Sequence, residues 1–451
     1  MLTYQDLLKA QENNAKMVDF VHRAIVEHRT TKFYKDAAVA TEYFRKRNKT
    51  IVEFQKMLYT VTGKAIPDNV SANYKLRSTF FNRFLIQQNQ YLLGNGITWT
   101  EESTKEKLGS DFETQVEVAG EKALVGGVSF GFWNYDHLEV FSILEFVPLW
   151  DEENGALRAG VRFWQIAPNK PMRATLYEED GYTDFMWKTG EEPKILHEKR
   201  GYVEVVKSAP ADEEKIYEFT NYDGFPIIPL WANKEHQSEM EGHREMIDCY
   251  DLIKSGFANN VDEASYIYWA IQNGGGMDDI DLANFVDRMR KVHASIVEGE
   301  GATATAHTID APHASRESIL SILRNDLYED FMALDTRIIA GGATTATQIR
   351  AAYEPLNSKT DRYESCVFDF LKALLAIAGI EDTPTFTRSV IINEEEEISM
   401  VLSAAQFLTS EYVTKKVLTV LGDADQIESV LENMAAEEQK QAMIMAQTEV
   451  E

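Results

Sequence analysis

The stretch from Ser315 to Gly379 constrains this chain more than any other: a helix, a short loop of small residues, and a second, much longer helix interrupted once by proline. In the first helix Ile319, Ile322, Leu323, Leu327, Phe331 and Leu334 recur three and four apart, one apolar stripe on the helical period. Ser315 stands where an N-cap is expected, and Glu317 favours the positive end of the helix dipole. The loop Ile338-Ile-Ala-Gly-Gly-Ala-Thr-Thr-Ala346 carries neither charge nor bulk, so mobility is expected of it. From Thr347 the helical pattern resumes and runs to Ala378, where Gly379 can close it. Pro355 lies inside that run; without an amide hydrogen, and with its ring against the preceding turn, it predicts a kink.

A second rod precedes this one. After Ser238, a candidate cap, the apolar residues Ile247, Tyr250, Ile253, Phe257, Val261, Ala264, Tyr268 and Ile271 keep one face for about 35 residues, ~50 Å of helix. The pattern stops at Gly274-Gly-Gly276. A compact insert then runs from Met277 to Pro312: a short helix carrying Leu282, Phe285, Val286 and Met289, and strand-like His293–Val297 and Thr303–Ile309. Two long helices joined by a small αβ insert should stand antiparallel, with the insert at their far end.

The first half reads as α+β. Residues 1 to about 60 are mostly helical in pattern, with basic clusters at Lys32 to Lys35 and Arg45 to Lys49. A helix is expected from Asn73 to Leu93, closed by Gly94-Asn95-Gly96, and another from Ser110 to Ala123. Short alternating segments follow, at Val128–Trp133, Leu138–Val147, Val161–Ile166, Ala174–Tyr177, Asp184–Trp187 and Gly201–Val206, separated by turns such as Glu153-Asn-Gly155 and Asp180-Gly181. That is the signature of an antiparallel meander. Pro226 and Pro229 bracket an extended run that cannot be a central strand throughout. Past Gly379 a strand is expected at Thr385–Ile392, then helices from the acidic entry Glu394-Glu-Glu-Glu397, ending in an acidic, solvated tail.

Composition excludes several classes. The net charge of −28 argues against tight sequence-independent DNA binding, though not against a wall along which DNA slides. The two cysteines, Cys249 and Cys366, fall on apolar helical positions, which predicts buried, reduced thiols and no disulfide framework. The N-terminal residues lack a signal-peptide pattern and no apolar run approaches the ~20 residues of a membrane span, so a soluble, cytoplasmic chain is expected. A phosphate-cradling loop is missing, since Gly63-Lys64 is followed by Ala65 and position 58 is Leu. No nucleophile elbow or paired zinc-type cysteines are present. His236, Glu239 and His243 could share a face and bind a metal, which leaves a metal-dependent α+β enzyme as one alternative; a scaffold with the same long helices is another. No cofactor is implied. The long apolar stripes call either for internal packing or for neighbouring copies around a closed ring.

In its order of features the chain resembles the portal proteins of tailed bacteriophages, in the branch typical of long-tailed phages of Gram-positive bacteria. The stretches that carry the likeness are Asn73-Tyr-Lys with Tyr91-Leu-Leu-Gly-Asn-Gly96, Gly224-Phe-Pro-Ile-Ile-Pro-Leu-Trp-Ala-Asn-Lys234, Met246-Ile-Asp-Cys-Tyr-Asp251 with Ser255 and Asn259-Asn260, Ser315-Arg-Glu, Leu323-Arg-Asn-Asp-Leu-Tyr328, and Asn393-Glu394. The resemblance implies a wing over residues 1–235, stem helices at 236–275 and 313–337, a clip at 276–312, and a tunnel loop at 338–346. It further implies a kinked wing helix and strand at 347–395 and a crown with an acidic tail at 396–451. It implies a homo-oligomeric ring, usually of twelve, at one capsid vertex of the virion. The ring would be assembled in the host cytoplasm with no membrane partner, passing double-stranded DNA and meeting the terminase large subunit, a head-completion adaptor, and the major capsid and scaffolding proteins. On this reading the tunnel loop is Ile338, Ile339, Ala340, Gly341, Gly342, Ala343, Thr344, Thr345 and Ala346. Light DNA-backbone contacts fall to Lys254, Arg324 and Arg337, although Arg324 and Arg337 could instead pair with carboxylates of a neighbouring copy. The clip would present Asp278, Asp279, Asp281, Arg288, Arg290 and Lys291 to the terminase.

Overall fold

The computed structural model describes residues 2–59, 62–69, 71–188, 190–207, 216–264, 268–272, 278–292, 303–307, 313–340, 345–389, 394–423, 426–427 and 429–436. The elements run in chain order α1 (Tyr4–Ala10), α2 (Asn14–Thr30), α3 (Lys32–Phe44), α4 (Lys49–Glu53), β1 (Met57–Tyr59), β2 (Ala65–Pro67), α5 (Phe80–Leu93), β3 (Ile97–Thr98), α6 (Glu102–Leu108) and α7 (Phe112–Gly126). Then come β4 (Val128–Asn134), β5 (His137–Ser142), β6 (Phe146–Trp150), β7 (Leu157–Trp164), β8 (Met172–Glu178), β9 (Gly181–Trp187), β10 (Lys194–Arg200), β11 (Val203–Lys207), β12 (Ile216–Thr220) and β13 (Ile227–Trp231). The remainder is α8 (Arg244–Ala264), β14 (Tyr268–Gln272), α9 (Asp279–Val292), β15 (Thr303–His307), α10 (His313–Asp330), α11 (Thr336–Ala340), α12 (Ala346–Ala378), β16 (Thr385–Phe386), α13 (Glu394–Ala404), a 3-10 turn (Ala405–Phe407) and α14 (Ser410–Val420). The class is mixed helix and sheet, as expected.

The chain divides into two compact units: Met1–Ile86 with Val118–Phe331, and Gln87–Glu117 with Met332–Glu451. In the first unit β6 to β10 form a five-stranded antiparallel meander in sequence order. The helices α1 and α2 cover one face of it: Leu7, Phe20, Val21, Ala24 and Ile25 share a buried cluster with Leu149, Val161, Phe163, Leu176 and Phe185. Each fully buried side chain of this size contributes roughly 1.5–3 kcal/mol by leaving water. Gly160 of β7 is required by packing, because a Cβ there would stand 2.0 Å from Phe146 Cζ. A three-stranded sheet, β13-β4-β5, closes a second cluster through Phe130, Phe132, Phe141 and Ile227. β13 is an edge strand, where Pro229, opposite Phe130, does not interrupt a ladder on both sides.

Helix α3 ends in a Schellman motif: Lys46 N–H bonds Tyr43 O at 2.9 Å and Arg47 N–H bonds Glu42 O at 2.8 Å. Lys46 takes the left-handed position, φ 62, where glycine is usual. A side chain there costs on the order of 1–3 kcal/mol.

The rods differ from expectation. The first has 21 residues rather than about 35, and Tyr268–Gln272 is a strand paired antiparallel with Thr303–His307. Gly242, at φ 80, stops any helix from beginning at Ser238, and Tyr268-Trp-Ala-Ile271 is β-branched and aromatic in composition. Ser238 instead donates to Val125 O at 2.7 Å and accepts from Met240 N at 3.1 Å. In α10 Ser315 lies inside the helix rather than capping it. The expected strand at His293–Val297, Gly274–Gly276 and the tail beyond residue 436 lie outside the described residues.

In the second unit α12 spans 33 residues, Ala346–Ala378, with Pro355 inside it. Thr345 and Gln348 form a capping box at its start, and Gly379 closes it in the left-handed conformation, φ 70. The C-terminal part of α5 packs along it: Tyr91 stacks on Tyr353 at 5.5 Å, Tyr91 OH donates to Asn357 at 2.5 Å, and Tyr363 OH donates to Asn89 at 2.9 Å. Of the strand expected at Thr385–Ile392, the described part pairs only Thr385–Phe386, with β3. Cys249 is exposed and Cys366 half-buried, so neither is the buried thiol its apolar spacing predicts. In α8 the reason is plain: the buried stripe runs through Ile247, Asp251, Ser255 and Asn259, and Cys249 lies off it.

Candidate channel and assembly surfaces

A buried polar face of the first unit is the side of α8 that carries Asp251, Ser255 and Asn259. These residues are spaced by four and thus stand above one another on the helix. They meet the segment before α5, which is extended where a helix from Asn73 is expected. Asp251 Oδ1 accepts Ser78 N–H at 2.7 Å, Ser255 Oγ accepts Leu76 N–H at 2.9 Å, and Asn259 Oδ1 accepts Tyr74 N–H at 2.6 Å. Alternate amides of an extended chain are therefore bonded by successive turns of a helix, which is why residues 74–78 do not become helical. One turn upstream, Asp248 takes the hydroxyl of Tyr43 and that of Thr50 at 2.7 Å, while Asn48 donates to Asp251 and to Ser78 O at 3.2 Å. Burial pushes the Asp251 carboxyl up, and its bonds from Asn48 and Ser78 oppose the shift. Burial likewise pushes up the Tyr43 phenol, reinforced by its bond to Asp248. None of these roles was visible in sequence, where Asp251, Ser255 and Asn259 are simply polar positions between apolar ones.

Helices α8 and α10 run antiparallel. Phe80 touches Tyr250 at 5.0 Å and Tyr328 at 6.3 Å, while toward the other end Arg316 Nη1 donates to Gly256 O at 3.3 Å. Phe84, Tyr328 and Phe331 complete an aromatic cluster, with Phe84 4.9 Å from each of the other two. Along the remaining length the apolar stripe is uncovered: Ile319 is 45% exposed, Ile322 54% and Val261 46%. Larger exposed apolar patches are commonly found where proteins associate.

Of the cations expected near DNA, Lys254 lies over the Tyr250 ring at 5.7 Å and Arg324 over the Tyr328 ring at 4.4 Å, so the two flank the same aromatic cluster. In the second unit Arg337 is exposed on α11, whose start is fixed by Asp335: its carboxylate accepts Arg337 N–H at 3.2 Å. The loop is shorter than expected. Ile338, Ile339 and Ala340 belong to α11, Thr345 caps α12 and Ala346 is its first residue, while Gly341, Gly342, Ala343 and Thr344 lie outside the described residues. Ile338 is 65% exposed.

In α9 Asp278 caps the helix, its carboxylate accepting the amides of Ile280 and Asp281 at 2.9 Å each. Asp279, Asp281, Arg288 and Lys291 are exposed, Lys291 pairs with Asp287 at 2.7 Å, and the Arg290 side chain lies outside the described residues. Ile280 is exposed as well, beside Leu282 and Val286.

The candidate metal ligands do not converge. His236 stacks on Trp231 at 3.8 Å, Glu239 accepts from Asn233 at 3.1 Å, and His243 donates to Glu239 O at 3.1 Å while stacking on Phe331 at 4.1 Å. Among the described residues no three His, Cys, Asp or Glu side chains are placed to hold one ion, and no helix is long and apolar enough to cross a membrane.

A sequence model of the family described as "Phage portal protein, SPP1 Gp6-like" matches residues 26–442. The "Portal protein" of Clostridium phage phiCD119 is 25% identical over 203 residues, covering 43% of this chain and 45% of that protein, so the chain aligns with less than half of that relative's length. The "Portal protein" of Bacillus phage SPP1 is 22% identical over 405 residues, 80% of this chain and 75% of the relative.

Proposed function

Since the chain belongs to the SPP1 Gp6-like family of phage portal proteins, we propose that its copies close into a ring, usually of twelve, at one vertex of the capsid. Its role there is structural rather than catalytic. The ring is the channel through which double-stranded DNA enters during packaging and leaves on ejection. It is the platform on which the terminase large subunit and later a head-completion adaptor dock, and it sits among the major capsid and scaffolding proteins after assembly in the host cytoplasm.

The observation that carries this reading is the family match along residues 26–442, joined to the uncovered stripe of Ile319, Ile322 and Val261 on an antiparallel helix pair. On this assignment residues 1–235 are the wing. Helices α8 and α10 are the stem, and the segment between them, with α9 and the β14–β15 pair, is the clip with its terminase-facing residues. The tunnel loop is what joins α11 to α12, Pro355 bends the wing helix, and the helices after residue 396 form the crown. Lys254, Arg324 and Arg337 touch passing phosphates lightly, because each phosphate neutralised adds to affinity and would slow the DNA.

Negative-stain images of the purified chain test the ring directly: rings with an axial hole are expected, and a stable monomer under every condition, assembled particles included, would end the proposal. Alanine at Arg337 together with deletion of residues 341–344, which spares α11 and the Thr345 cap of α12, is expected to leave rings intact and to impair packaging or retention of DNA. Unchanged phage yield would remove the loop from the mechanism.

A further inference from the structure

The turn between α3 and α4 and the extended segment before α5 place Arg45, Lys46, Arg47, Lys49, Lys75 and Arg77 on one exposed surface. Their adjacency is direct: Arg77 Nη1 donates to Lys46 O at 3.4 Å and Lys75 Nζ to Val52 O, while beneath them Asn48 holds Ser78 O at 3.2 Å. Arg47 and Lys49 lie 3.9 and 3.8 Å from Glu42 and Glu53, exposed pairs that hold little charge in place. Among the described residues Arg45, Lys46, Lys75 and Arg77 have no carboxylate within ion-pair distance. Neither of the two stretches, Arg45–Lys49 and Lys75–Arg77, contains an acid, in a chain whose net charge is −28. At physiological salt a field decays within roughly 8–10 Å, so the acidic remainder does not cancel this patch.

A bland reading is available: lysines on an exposed extended segment discourage pairing with another chain. It does not account for Lys46, which lies in a helix-terminating turn at φ 62, where glycine would relieve the backbone. A cation is kept there against local conformational preference. The amides of Tyr74, Leu76 and Ser78 point to α8, so those of Lys75 and Arg77 lie on the opposite edge, beside their own charged side chains. Tyr74, 52% exposed, and Phe54, 44% exposed, lie at the margins in sequence. Cations held by backbone carbonyls or exposed ion pairs, with outward amides and exposed rings beside them, suit a chain of phosphates better than an acidic protein face, which would ask for fixed partners.

We propose that this patch binds the phosphodiester backbone of duplex DNA without reading its bases, as a contact separate from Lys254, Arg324, Arg337 and the α11–α12 loop. It takes only the choice of DNA as the polyanion from the functional reading above, and its test does not require a ring.

The experiment is anisotropy of a labelled random duplex of about 40 base pairs with the full chain, between 50 and 200 mM NaCl. Each phosphate contact adds about 0.9 to the log–log salt slope. Lys46→Ala/Lys75→Ala/Arg77→Ala should therefore flatten the slope by about 3, whereas Lys9→Ala/Lys16→Ala/Arg23→Ala, on α1 and α2, should leave it unchanged. Lys46→Gly alone should melt at the wild-type temperature or above it and still lower the slope by about 1, which separates binding from folding. Equal slopes for wild type and the first triple variant would overturn the proposal. So would a triple variant whose only defect is in sedimentation, since the patch would then face a neighbouring copy. Absence of rings with the slope change intact would count against the portal reading and leave this one standing.

Discussion

Asp251 Oδ1 accepts the backbone N–H of Ser78 at 2.7 Å while its carboxylate is fully buried. The bond ties the middle of α8 to a segment 173 positions away in sequence. Asp251→Ala should leave the Ser78 amide and the Asn48 side chain without their acceptor and destabilise the first unit by about 3 kcal/mol. Asp251→Asn should recover part of the loss. Urea unfolding followed by far-UV circular dichroism measures both; an alanine variant as stable as wild type would show that the ladder is dispensable.

The uncovered stripe predicts a variant that separates assembly from folding. Ile322, 54% exposed, leaves little apolar surface to lose in the single chain, so Ile322→Glu should change its stability by no more than about 0.5 kcal/mol. Placed against a neighbouring copy the same carboxylate would be buried without a partner, and rings should fail to form. Sedimentation velocity reads the two outcomes, and normal rings from the variant would place the interface elsewhere.

Pro355 lies inside α12 and supplies no amide to the preceding turn. Pro355→Ala should stabilise the isolated chain by about 1–3 kcal/mol if the surroundings accept a regular helix. If the bend matters to the assembled ring, phage yield should fall despite that gain. A loss of stability would instead show that the ring of Pro355 is a packing element.

His28 gives a pH dependence with a definite sign. Burial holds its imidazole below the ordinary range, although the bond of Nε2 to Ile143 O at 2.7 Å works against the shift. The unfolded chain therefore takes up the proton first as pH falls, and stability should decline on acidification from about 6.5, the ordinary histidine value. His28→Gln should flatten that limb of a melting temperature against pH plot. A wild-type plot that rises on acidification through this range would contradict the assignment.

How much of this was legible beforehand depends on the range of the interaction. The end of α12 is legible in one residue, Gly379, and the helical pattern places its start at Thr347, within one residue of the helix, although Thr345, which caps it with Gln348, falls in the expected loop. The meander was readable only in part from alternation and turn residues, which are local signals: Leu138–Val147 divides between β5 and β6 of different sheets, Val128–Trp133 joins β5 and β13, Gly201–Val206 falls in the β11–β12 pair, and β10 was not expected. The buried face of α8 was not. Apolar spacing marked Ile247, Tyr250, Ile253, Phe257 and Val261 as the inner side, yet of these Ile247 alone is buried in the single chain, and the buried stripe continues through Asp251, Ser255 and Asn259. Nothing within the helix announces that its polar residues bond a distant extended segment. The apolar side is the one left half-covered. The same locality limit produced the overlong first rod, since Tyr268 and Ile271 keep the helical period while belonging to a strand that needs Thr303–His307 to exist.

The spacing of the Tyr74, Leu76 and Ser78 bonds also limits how α8 can move. A helix advances ~6 Å in four residues and an extended chain ~6.6 Å in two. The two scales stay in step over the whole contact, like the teeth of a rack on a pinion. Sliding α8 by a fraction of a turn would strip every tooth together, and only a jump of a full turn would find new acceptors. An axial load on this helix is thus passed whole to the body of the first unit, as through a strut, instead of being absorbed as gradual slip.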